Sequence, residues 1–145
     1  MAVAVRMGRL AAILIVDDKV LAWAMSDVAV KDERKTGPKL RQWISKFKPN
    51  LLISENPDQP GAKGETSVSC LKIIADVFDD RPERSLMLIR RQKEKNRYEE
   101  AARLAELYPD IACELPAKPP CWDKENPKLV FFEALAMAHR VVHPK

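Results

Sequence analysis

Long apolar runs are missing from this sequence. Stretches such as Leu10–Val16 and Val20–Met25 fall far short of the ~18–20 residues of a membrane-spanning helix, which excludes an integral helical membrane protein. Cysteine is scarce and unpatterned. Cys70, Cys113 and Cys121 are odd in number and show no CxxC spacing, which excludes a disulfide framework and a cysteine zinc site. They point to reduced thiols in a cytoplasmic protein. Histidine occurs twice, at His139 and His143, four apart near the C-terminus. Two ligands without a nearby third make a weak metal pair, and the end of a helix accounts for them as well. Internal repeats and low-complexity tracts are absent.

What is present fits one compact domain spanning 1–145. Hydrophobic residues make up 46%, enough to bury an ordinary core and to argue against a disordered chain. The formal net charge is +4, compatible with nucleic acid without being diagnostic of it. Its distribution says more. From Arg81 to Arg97 there are seven basic residues against two acidic ones, Glu83 and Glu94; a solvated loop or a phosphate-binding segment would each look like this. Arg6 and Arg9 ahead of Leu10–Val16 mimic a signal peptide. The apolar run is only seven residues, Asp17 and Asp18 follow it, and no small-residue cleavage site is evident. A strand is the expectation.

Arg9–Val16 and Val20–Met25, separated by Asp17-Asp18-Lys19, read as two strands and a tight turn. Thr36 can cap a helix whose Leu40, Trp43, Ile44 and Phe47 share a face, ended by Pro49. Leu51–Ser54 is a short buried strand, and the Gly/Pro-rich segment 56–64 is a loop. Val68, Leu71, Ile74, Ala75 and Phe78 mark a second helix, and Ser85–Ile89 a further strand. Arg97–Tyr108 is a third helix, with Asn96 as a cap. Pro116–Pro120 is extended, and Pro127 starts the last helix. The expected fold class is α/β: a mixed sheet with an N-terminal antiparallel hairpin and helices packed on it.

Two carboxylates carry the chemistry. Glu55 follows the strand Leu51–Ser54 and precedes a loop, so it sits where active sites of α/β sheets gather. Glu133 lies inside the apolar stretch Leu129–Ala136, where an ionised carboxylate is expensive unless a cation or metal accompanies it. Brought together, the two would suit Mg²⁺ or Mn²⁺ at a phosphodiester.

These residues carry a family resemblance. Phe132-Glu133-Ala134-Leu135-Ala136-Met137-Ala138 resembles the C-terminal helix of the RuvC-type Holliday-junction resolvases of the RNase H-like superfamily. Leu51–Glu55 is similar to the strand ending in that family's catalytic glutamate, and Arg9–Met25 to its early hairpin. The resemblance implies an RNase H-like domain that binds nucleic acid, DNA rather than RNA, as a homodimer and without a membrane. It also implies a divalent-metal nuclease with Glu55 and Glu133 as metal ligands. Two departures stand out. The family's first strand ends in a catalytic aspartate, whereas Met1–Met7 holds no acid; and a second helix acid, expected three positions before Glu133, is Val130. Three alternatives follow: Asp17 or Asp18 substitutes as a catalytic residue, the chain lacks a strand, or the domain binds without cutting. On either nucleic-acid reading, Lys63, Arg90, Arg91, Lys93, Lys95 and Arg97 are the expected phosphate contacts.

A response-regulator receiver is the other likeness, carried by Ile13–Asp18, Leu51–Gly61 and Lys118-Pro119. It predicts one acidic pocket of Asp17, Asp18 and Glu55, reached by Lys118. Trp122 either stacks on a base or pins its loop to the core.

Overall fold

A computed structural model describes residues 1–27, 31–58, 63–90, 94, 96–117 and 125–144. Five strands form one sheet: β1 (Ala2–Arg6), β2 (Arg9–Val16), β3 (Lys19–Ser26), β4 (Leu51–Glu55) and β5 (Arg84–Leu88). Their order is β3-β2-β1-β4-β5. β1, β2 and β3 are antiparallel neighbours, while β4 runs parallel to β1 and β5 parallel to β4. Among the described residues four α-helices pack on the sheet: α1 (Thr36–Phe47), α2 (Glu65–Asp79), α3 (Arg97–Leu107) and α4 (Leu129–Val142). The α/β class, the mixed sheet and the N-terminal hairpin are as the sequence leads one to expect, and the arrangement is consistent with an RNase H-like fold. No helix among the described residues is long and apolar enough to cross a membrane.

The first strand is the main addition. Met1–Met7 holds β1, which pairs with β2 through a two-residue turn at Met7 and Gly8, both at positive φ. The chain therefore does not lack a first strand. The second hairpin turns at Asp17 and Asp18, also both at positive φ. Two central residues in that region define the turn whose twist matches a hairpin, and aspartate tolerates it better than most side chains.

Side-chain alternation splits the core into two layers. Ala2, Ala4, Ala11, Ile13 and Ile53 face α3 and α4; Val3, Val5, Leu10, Ala12 and Leu52 face α1 and α2. The three alanines let α4 lie close to the sheet. It is buried almost all round, with Phe131, Phe132, Leu135 and Met137 filling the space.

Two helix starts differ from expectation. Thr36 is the buried first residue of α1, its hydroxyl 3.8 Å from the Cys70 sulfur. A short 3₁₀ turn, Glu33–Lys35, precedes it and is capped by Asp32, so the chain enters the helix one turn earlier. The last helix begins at Leu129, after a turn in which the Val130 N–H reaches the Pro127 carbonyl. Asn96 caps α3 as expected, accepting from the N–H groups of Tyr98 and Glu99 at 2.9 and 3.0 Å. Lys48, in the left-handed region, closes α1 just before Pro49.

Candidate functional site

Strand direction creates the site. β1, β4 and β5 run parallel, so their C-terminal ends lie on one edge. Ala2 pairs with Ile53, which places Ala4 level with Glu55 and Arg6 just beyond, on the same face. Glu55 is level with Leu88 on the other side, and the chain leaves β5 toward Arg90. α4 crosses above and presents Glu133; α3, beside it, presents Glu100. Lys63 enters from the residues that precede α2.

These groups form one buried ionic cluster. Glu55 is 1% exposed and the Lys63 side chain 8%. The Lys63 ammonium donates to Glu133 Oε1 and lies 3.7 Å from Glu55 Oε1. Arg90 Nε lies 3.7 Å from Glu133 Oε1, while Arg90 Nη2 donates to Glu100 Oε1 at 3.0 Å. At the end of β1, Arg6 holds Glu125 with two parallel hydrogen bonds, one through Nε and one from Nη2 at 2.7 Å. That fork is the strongest geometry open to a guanidinium and a carboxylate.

The cations do not satisfy every oxygen. Both Glu55 oxygens and Glu133 Oε2 are buried without a hydrogen-bond partner among the described residues. Burial pushes the Glu55 carboxyl up to about 7, against the opposing pull of Lys63 and with a further push from Glu133. Burial likewise raises Glu100, which Arg90 pulls back down. Glu125 is the opposite case: burial pushes it up, but the hydrogen bond and charge of Arg6 outweigh that and hold it low.

Glu55 and Glu133 are thus brought together as expected. The other expected residues fare differently. Asp17 and Asp18 turn the chain at the opposite end of the sheet. Ala4 pairs with Ala11, and Asp17 lies six residue steps along the chain from Ala11, a distance on the order of 20 Å at ~3.3 Å per step. Asp18 instead meets His143 Nε2 at 2.9 Å. Neither aspartate supplies the missing acid, and the receiver pocket of Asp17, Asp18 and Glu55 does not exist. Lys63 and Arg90 are not free phosphate contacts either, because buried carboxylates engage both. Arg97 is half-buried at the start of α3, its Nε without a partner among the described residues. Arg91, Lys93, Lys95, Lys118, Trp122 and Cys121 lie outside the described residues. His139 Nδ1 is hydrogen-bonded with the Tyr108 hydroxyl at 2.7 Å and its ring stands 5.0 Å from that of His143, with no third ligand to complete a metal set among the described residues.

Glu100 and Glu125 were not singled out from the sequence, and Arg6 stood out only as part of a leader-like pattern, not as a site residue. Arg6 had a signal, as a lone charge closing an Ala/Val run. Glu100 had little, since it sits in a helix of mixed charge.

Whether a divalent cation fits can be judged from the donors. Three unpartnered carboxylate oxygens are hard ligands of the right kind. Against that, the Lys63 ammonium stands between the two carboxylates, Arg90 lies on Glu133, and β1 ends on a guanidinium. No set of three His, Cys, Asp or Glu side chains among the described residues is arranged to hold a metal. With Lys63 in place, the residues do not fit the ion. No family model, no curated protein and no solved structure matches this chain.

Proposed function

We propose that the chain is an RNase H-like domain that binds nucleic acid without metal-dependent cleavage. The carrying observation is the contact of Lys63 with both Glu55 and Glu133. A cation belonging to the chain stands where the resolvase resemblance calls for divalent ions, and Arg6 closes β1 where it calls for an aspartate. The sheet, the carboxylate pair at the ends of its parallel strands and the helix carrying Glu133 support the superfamily reading. The +4 charge and the basic residues Arg91, Lys93 and Lys95 support a phosphate-backbone partner, DNA before RNA, and the resemblance supports a homodimer.

A second reading, a Mg²⁺- or Mn²⁺-dependent nuclease, draws on the three unpartnered oxygens. In it Lys63 gives way when substrate and metal arrive.

The test uses labelled junction, duplex and single-stranded DNA and RNA. Binding is measured by fluorescence anisotropy over a salt series, and cutting is assayed in Mg²⁺ and Mn²⁺. The expected result is metal-independent binding that weakens steeply with salt, with every strand intact. Absence of binding overturns the proposal. So does metal-dependent cutting that disappears in both Glu55→Gln and Glu133→Gln, which establishes the nuclease instead.

A further inference from the structure

From the geometry of the paired carboxylates, and resting on the reading of Glu55 and Glu133 as one site, we infer that Lys63 is a built-in substitute for a divalent cation, and that removing its ammonium opens a Mg²⁺/Mn²⁺ site on Glu55 and Glu133.

Two buried carboxylates this close to one cation cannot both stay ionised alone. Their repulsion in a poorly solvated setting forces a proton onto one of them, or draws in a cation. The Lys63 side chain is itself buried, 8% exposed against 1% and 4% for the glutamates it serves, so it is not a surface lysine folded down by chance. It reaches in from outside the strands and helices that present the carboxylates. Its removal therefore leaves the positions of β4 and α4 to their own packing, which rests on Ile53, Ala134, Leu135 and Ala138.

One ammonium brings a single charge and three N–H donors. Among the described residues it hydrogen-bonds Glu133, approaches Glu55 Oε1 at 3.7 Å as an ion pair, and leaves both Glu55 oxygens and Glu133 Oε2 without a hydrogen bond. A divalent ion brings two charges and six or more coordination positions, and Mg²⁺ or Mn²⁺ commonly binds through one or two carboxylates with water completing the shell. What Lys63 leaves unsatisfied is what such an ion would take. Arg90 remains on Glu133 Oε1, which leaves Oε2 and both oxygens of Glu55 as the expected ligands.

The experiment compares Mn²⁺ binding by wild-type protein, Lys63→Met and Lys63→Met/Glu55→Gln, without nucleic acid. Bound Mn²⁺ is read by electron paramagnetic resonance and by the melting temperature with and without the metal. Lys63→Met should bind Mn²⁺ at least about tenfold more tightly than wild type, with an upward shift in melting temperature that wild type lacks and the double variant loses. If Lys63→Met is unfolded alone, refolding on addition of Mn²⁺ is the same result; Lys63→Gln, which keeps a polar donor, provides a folded comparison. Equal Mn²⁺ responses in wild type and Lys63→Met overturn the inference. So does a response that survives Glu55→Gln, or a failure of Mn²⁺ to bind or refold either Lys63 variant. Because nucleic acid is absent, either outcome leaves the nucleic-acid binding result to stand or fall separately.

Discussion

Glu55 and Glu133 meet on a single ammonium. One closes the central parallel strand, the other sits in the most buried helix, and Lys63 touches both. A buried ion pair is poor support for stability, because desolvation offsets most of the attraction. Three buried glutamates with two cations threaded between them are therefore better understood as retained for a task than for the fold.

The pH dependence of stability should expose Glu55. Burial raises its carboxyl from 4.5 to about 7. Between those values the folded chain keeps a proton that the unfolded chain has released, so this group's contribution falls as pH rises from about 5 to about 7 and is flat above. Glu100, also raised, acts in the same sense. His139 is lowered by burial, with His143 adding to the effect, and acts in the opposite sense. The comparison with Glu55→Gln isolates the glutamate. Relative to wild type, the variant should gain on the order of 1–3 kcal/mol across that window, measured by urea unfolding at a series of pH values. Parallel pH profiles would show that Glu55 titrates normally.

Arg90 should matter far more than its place in a charged segment suggests. It reaches both Glu100 and Glu133, so Arg90→Met leaves buried carboxylates short of a cation. A loss of about 3–5 kcal/mol is expected. Adding Glu100→Gln should recover part of it, because a neutral amide no longer needs that cation. As a control, Arg34→Met removes an exposed partner of Asp32 and should leave the melting temperature where it was. Thermal melts of the four proteins decide it, and equal effects for Arg34 and Arg90 would mean the cluster is solvated.

How much of this was legible in the sequence varies by element. The helices and β2 to β5 were legible because their apolar residues keep a recognisable period or run length. β1 was not. Val3 and Val5 face one layer, Ala2 and Ala4 the other, and all four are buried, so no polar alternation marks the strand. Glu55 and Glu133 could be picked out by a strand end and by the anomaly of an acid among apolar neighbours. Their cations could not be matched to them. Lys63 and Arg90 read as phosphate contacts in loop-like sequence, and only the fold, with β4 and β5 parallel beneath α4, turns them inward onto the carboxylates. Asp17 and Asp18 followed turn chemistry rather than acid chemistry, as their place between two strands implied.

The closeness of α4 to the sheet is itself testable. Ala4 is 1% exposed and lies level with Glu55 on the face that α4 covers. Ala4→Leu forces added methylenes between strand and helix and should cost about 1–3 kcal/mol by overpacking. It should also move Glu133 away from Lys63 and relax the Glu55 titration toward normal. A chemical-denaturation series reads the first effect, and the pH profile of the same variant reads the second. A stable variant with an unchanged profile would mean that α4 sits further out than the buried alanines indicate.

Replacing Asp17 and Asp18 with Asn-Gly separates turn from catalysis. Both positions have positive φ, and Asn-Gly is the preferred pair for that two-residue hairpin. The exposed contact of Asp18 with His143 is lost, but such surface pairs contribute little. The double variant should therefore gain about 0.5–1 kcal/mol in stability and bind nucleic acid with wild-type affinity. Both are measurable on one preparation, by urea unfolding and by anisotropy. Lost binding in a stabilised protein would return the aspartates to the functional site, in spite of their place at the far end of the sheet from Glu55.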